Sequence, residues 1–92
     1  MKDFPVQTFY KNQVIFEEGT PANVAYLLKA GRVELSVQGK EKVVLAELKP
    51  GDIFGETALL LREGRRTETA VALEEAGLIV IYRTAFQEYL EQ

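Results

Sequence analysis

Turn signals interrupt this chain so often that only short strands fit between them. They fall at residues 17–21, at Ala30-Gly31, at residues 38–41 and 49–52, and at residues 74–77, the first four at intervals of roughly 8–12 residues. The segments between them are apolar or alternating. Val14-Ile15-Phe16 is a short apolar run, and residues 24–29 (VAYLLK) are rich enough in large apolar side chains for a buried strand. In residues 32–37, Val33, Leu35 and Val37 alternate with Arg32, Glu34 and Ser36, which predicts a strand with the first set in the core and the second in water. Gly39 is expected to take positive φ in the next hairpin turn, leading to a strand over residues 42–48 and two more over 69–73 and 78–82. Seven or eight short strands in this pattern point to a sandwich, jelly roll or small barrel. A mainly β, jelly-roll-like β-roll is the fold expected, as a single domain over residues 1–92.

The period changes at the C-terminal end. Thr84 followed by Gln87 makes a capping-box pattern, and Phe86, Tyr89 and Leu90 share one helical face, so a helix starting near Ala85 is expected to pack back on the barrel. The chain of 92 residues contains no cysteine and no histidine and carries a formal net charge of −3. Disulfide and thiolate chemistry are thereby excluded, most transition-metal sites lose their usual ligands, and the usual general base of hydrolases is missing. No enzymatic activity, cofactor or metal is expected. The modest acidity offers no basic stripe for nucleic acid. No apolar run approaches the roughly 20 residues that span a bilayer, and no signal peptide precedes the first strand-like segment, so a cytoplasmic protein is expected.

Residues 51–70, GDIFGETALLLREGRRTETA, carry the chemistry. Gly55 lets the backbone bend and approach a ligand closely. Residues 56–61 have helix-forming character, and a helix beginning there presents free N–H groups from Glu56, Thr57 and Ala58, an anion site. Arg66, across a loop from that helix, can grip a phosphate with paired hydrogen bonds. Glu56 repels a phosphate but suits a sugar hydroxyl as an acceptor. Each residue also has an ordinary explanation: a favourable acid at a helix N-terminus, solvated loop arginines at Arg65 and Arg66, a turn glycine, a strand threonine at Thr67.

Taken together, the stretch resembles the phosphate-binding cassette of cyclic nucleotide-binding domains, which reads roughly F-G-E-x-A-L, a variable loop, then R-[AST]-A. Phe54, Gly55, Glu56, Ala58 and Leu59 match the first half, and Arg66 with Thr67 match the second. VIFEEGTPANVAYLLKAGRVEL and ALEEAGLIVI resemble that family's strand–turn–strand and closing-strand segments, extending the likeness over residues 9–92. The resemblance implies an eight-stranded β-roll with a short inserted phosphate-binding helix and a C-terminal helix. It implies a regulatory module for cyclic AMP or cyclic GMP, with Arg66 on the cyclic phosphate, Glu56 on the ribose 2′-hydroxyl, the backbone of Gly55 and Ala58 lining the site, and Thr67 touching phosphate or base. The implied partners are the nucleotide and either a second copy or an effector domain, with no direct contact to nucleic acid or membrane. The chain departs from the pattern at Glu68, where alanine is usual. A strand through residues 66–68 would turn Glu68 to the same side as Arg66, to pair with the arginine or repel a phosphate. The alternative function is a degenerate copy that binds no nucleotide and serves as a structural or oligomerisation module. The family also closes its site with a longer helical segment, and weaker binding is expected of the chain without it.

Overall fold

The computed structural model describes residues 4–91. The two ends of the expected 1–92 domain, including Gln92 at the limit of the family-like stretch, lie outside those residues. Among the described residues eight strands run in chain order: β1 (Val6–Phe9), β2 (Val14–Phe16), β3 (Val24–Ala30), β4 (Val33–Gln38), β5 (Lys42–Leu48), β6 (Ile53–Phe54), β7 (Thr69–Ala72) and β8 (Ala76–Tyr82). Two helices join them, α1 (Thr57–Leu60) between β6 and β7 and α2 (Arg83–Leu90) after β8. The strands form two antiparallel four-stranded sheets, ordered β1-β8-β3-β6 and β2-β7-β4-β5. This is the expected β-roll with an inserted helix and a C-terminal helix. No helix among the described residues is long and apolar enough to cross a membrane.

The core lies between the sheets. From the first come Phe9, Tyr26, Leu28, Phe54, Ala76, Leu78 and Val80; from the second, Phe16, Val33, Ala70 and Ala72. Alternation explains most of this list: Leu78 and Val80 of β8 are buried while Ile79 and Ile81 turn to the other face. That outer face is not bare. α2 lies along β3 and β8, and Ala85, Phe86 and Tyr89 join Leu27, Ile53, Ile79 and Ile81 around an apolar groove of about 330 Å³.

Four local expectations are corrected. In β4 the buried residues are Val33 and Ser36, with Leu35 and Val37 only half-buried. The register against β5 shifts between Leu35 and Ser36, leaving Leu45 without an opposite number, and a bulge of this kind breaks the two-residue period. Gly39 does not take positive φ; the left-handed glycines are Gly19, Gly31, Gly51, Gly55 and Gly64. α2 begins at Arg83 rather than near Ala85, and no side chain caps it, so the Thr84–Gln87 pair does not form a capping box. Finally α1 is a single turn, Thr57–Leu60, with Glu56 as its N-cap residue instead of its first helical one.

Candidate functional site

Two turns on different parts of the chain build the site by pairing with each other. The turn at residues 17–21 runs alongside residues 64–66: the Gly19 N–H donates to the Arg66 carbonyl at 2.8 Å, the Arg66 N–H to Thr20 at 2.8 Å, and the Ala22 N–H to Gly64 at 2.8 Å. Arg65 adds a side-chain bond to the Gly19 carbonyl at 2.9 Å. This short ladder fixes the backbone of Arg66 and aims its side chain inward.

Arg66 is 5% exposed, one of the few buried polar side chains among the described residues. Its Nη1 donates to the Gly55 carbonyl at 2.9 Å and its Nη2 to the Val24 carbonyl at 2.8 Å. The guanidinium lies 4.1 Å above the centre of the Phe16 ring, a distance at which the ring quadrupole attracts a cation. Phe16 stacks on Tyr26, and Tyr26 on Phe54, so the cation rests on a three-ring aromatic shelf. Burial lowers the affinity of the guanidinium for its proton, offset by the nearby Tyr26 and Glu68. Burial likewise raises the Tyr26 pKa, against the lowering effect of Arg66. The sequence treats Arg66 as a loop arginine with little part in packing. The structure corrects this, because the ladder to residues 19–22 draws it into the aromatic core.

Gly55 sits at φ +79°, and a Cβ there would come 2.7 Å from Arg66 Nη1 and 3.1 Å from Phe16. Only glycine therefore offers its carbonyl to Arg66 in this geometry. Phe54, just before it, is 1% exposed and belongs to the core through its ring. Ala58 is buried, Glu56 half-buried and Thr57 exposed. The first N–H groups of α1 have no partner within the helix, and no side chain caps them. The Glu56 carboxylate accepts one long bond, from the Thr57 hydroxyl at 3.4 Å.

Glu68 forms no ion pair with Arg66. Residues 67 and 68 lie in a bend ahead of β7, so the strand alternation that would align them is absent. The Glu68 carboxylate instead accepts from the Thr67 hydroxyl at 2.5 Å, while its charge still reaches Arg66 through space. An open concavity of about 540 Å³ is lined by Val14, Glu17, Glu18, Gly19, Gln38 and Thr69, not by residues 54–58 or Arg66.

The structure brings Gly55, Glu56 and Arg66 together and leaves Phe54 in the core. Sequence reasoning missed Phe16, Tyr26 and the Val24 carbonyl, which hold Arg66. Nothing marks Phe16 in the sequence beyond its being the last residue of an apolar run.

Comparison with known proteins places this geometry. Residues 6–92 match the profile of the family described as "Cyclic nucleotide-binding domain". The chain is 35% identical over 89 residues to the cyclic AMP receptor protein of Thermus thermophilus, covering 95% of this chain and 39% of that one. It is 38% identical over 85 residues to a cGMP-dependent protein kinase of Eimeria tenella, covering 92% of this chain and 8% of that one. Among solved structures, the cGMP-bound form of an EAL enzyme superposes with a TM-score of 0.89 at 31% identity, covering 96% of this chain and 24% of that one. The cAMP-bound form superposes with a TM-score of 0.87. The chain thus spans well under half the length of these relatives.

Proposed function

The chain belongs to the cyclic nucleotide-binding domain family, and on that premise we propose that it is a sensor module whose cassette takes the cyclic phosphate of cyclic AMP or cyclic GMP. The observation that carries this is the convergence of the Arg66 guanidinium and the start of α1 on the Gly55 bend. Arg66 uses two of its donors on backbone carbonyls, and a guanidinium has five, so donors remain for phosphate oxygens. The free N–H groups at Glu56, Thr57 and Ala58 complete an anion cradle. Glu56 keeps acceptor capacity for a ribose hydroxyl, since its bond from Thr57 is long. Either nucleotide fits this reading, because relatives named for cyclic AMP and for cyclic GMP align with comparable identity.

Binding supplies regulation, and the output belongs to a second copy or an effector domain; the named relatives are all much longer proteins. A rival reading, a degenerate scaffold, draws on Glu68. Its carboxylate engages the Thr67 hydroxyl and places negative charge within reach of Arg66. Titration calorimetry of the chain with cyclic AMP and with cyclic GMP separates the two. Saturable heat at one nucleotide per chain supports the sensor. Absence of heat with either nucleotide at millimolar concentration leaves only the scaffold.

A further inference from the structure

The main chain of Arg66 stands outside β7, which begins only at Thr69; residues 67 and 68 between them lie in a bend. The turn at residues 17–20 fixes it instead, through the Gly19 N–H to the Arg66 carbonyl and the Arg66 N–H to the Thr20 carbonyl. That turn closes on itself at Glu17, whose carbonyl accepts from the Thr20 N–H at 3.2 Å and the Thr20 hydroxyl at 2.6 Å. Its seat on the sheet comes from Glu18. The Glu18 N–H donates to Thr69 Oγ1 at 3.0 Å, and the Glu18 carboxylate accepts from the Gln38 N–H at 3.1 Å. Pairing between β4 and β7 reaches only to Ser36 opposite Thr69, so Gln38 lies beyond the end of that ladder. Glu18 therefore clasps the ends of β4 and β7 together, while the next residue of the chain holds Arg66. An ionised acceptor makes such a bond to a backbone N–H stronger than a neutral one does.

We propose that Glu18 is a positioning residue for the phosphate grip: it seats the turn that fixes the Arg66 main chain, and so sets the direction from which the guanidinium meets a ligand. This rests on the sensor reading given above. Glu18 acts through Arg66 and makes no contact with the nucleotide. Its effect runs against its charge. A carboxylate in the neighbourhood of a phosphate weakens binding by repulsion alone, whereas the clasp strengthens it, so the two roles predict opposite signs on removal.

The test uses the full chain with Glu18→Ala, Glu18→Gln and Glu17→Ala. Glu18→Gln removes the charge and keeps an acceptor oxygen. Glu17→Ala removes the same charge from the same turn but leaves in place the carbonyl that closes it. Amide hydrogen exchange without ligand reads the clasp. Glu18→Ala is expected to speed exchange at Gln38, Gly19 and Arg66 by about threefold, the lower range for an exposed bond, with Glu18→Gln and Glu17→Ala close to the parent. A rise at Gln38 alone, with Gly19 and Arg66 unchanged, reduces Glu18 to a brace of β4 and overturns the positioning. Titration with cyclic AMP and cyclic GMP then reads the grip. Glu18→Ala is expected to weaken binding about threefold, while Glu18→Gln and Glu17→Ala bind as tightly as the parent or slightly better. Tighter binding by Glu18→Ala, or a change equal to that of Glu17→Ala, shows an effect of charge alone and overturns the proposal. If the parent binds neither nucleotide, the sensor reading falls, while the exchange measured without ligand still decides whether Glu18 holds Arg66.

Discussion

Arg66 packs against Gly55, Val24 and Phe16 and is also the proposed phosphate donor, so substitutions there are expected to register in both stability and binding. Arg66→Ala strips the Gly55 and Val24 carbonyls of their side-chain donor and removes the cation from above Phe16. Partial rehydration of those carbonyls limits the cost to about 2–3 kcal/mol, which in a domain this small lowers the melting temperature by about 10–20 °C. Calorimetric melting without ligand checks this; an unchanged melting temperature would show that Arg66 takes no part in the core. The aromatic shelf beneath it has its own signature at high pH. Burial raises the Tyr26 pKa above its ordinary 10.0. Below pH 10 both folded and unfolded chains keep the phenol proton and its contribution is constant. As pH rises past 10.0 the unfolded chain releases the proton first, so this contribution is lost as pH climbs through the folded pKa. Denaturant melts across that window should show stability falling in the parent and a shallower fall in Tyr26→Phe; identical slopes would remove Tyr26 as the cause.

At the scale of elements, the turns carry more information than the strands they separate. The β3–β4 turn depends on Gly31, at φ +91°, where a Cβ would stand 2.3 Å from the Glu75 carbonyl oxygen and 2.8 Å from the Ala76 Cα. Both obstacles are backbone, so Gly31→Ala forces β8 and the hairpin apart and should cost about 2–4 kcal/mol, seen as a lowered urea midpoint; a midpoint equal to the parent's would refute the close approach. Turn punctuation of this kind made most strand positions legible in the sequence, since Gly and Pro restrict the backbone whatever packs around them. β1 and the two-residue β6 carry no such mark. β1 shows no alternation ahead of its single buried residue, Phe9, and β6 is too short for periodicity to act. The buried Ser36 was illegible for another reason: the register shift opposite it belongs to the β4–β5 pairing, and no single strand records it. For the site, the cassette residues Gly55, Glu56 and Arg66 could be read because their chemistry is local to one stretch. The Val24 carbonyl could not, because its partner Arg66 lies far from it in sequence.

Over the whole molecule, the two sheets and their aromatic filling position the cassette, and a ligand bound there would stabilise the whole domain. Glu68 decides the size of the response. It does not compete for Arg66 by direct pairing, but it occupies the Thr67 hydroxyl and keeps a negative charge near the guanidinium. Two unit charges about 4 Å apart at an effective dielectric near 20 interact by roughly 4 kcal/mol before screening. Glu68 is only half-buried and free of that close contact, so solvent leaves about 1 kcal/mol of the repulsion with a phosphate. Glu68→Ala should tighten binding severalfold, up to about tenfold. A ligand at about 100 times its dissociation constant stabilises the folded state by roughly 2.7 kcal/mol, a melting shift of about 10–20 °C for so small a domain. Thermal melts with cyclic AMP and cyclic GMP, on the parent and on Glu68→Ala, therefore order the readings. A shift in both proteins, larger in the mutant, is expected of a sensor restrained by Glu68. A shift confined to Glu68→Ala would mean that one carboxylate has closed an otherwise intact site. If neither protein shifts at millimolar nucleotide, the cassette geometry has been kept for its packing, with Arg66 retained as a strut between Gly55 and β3.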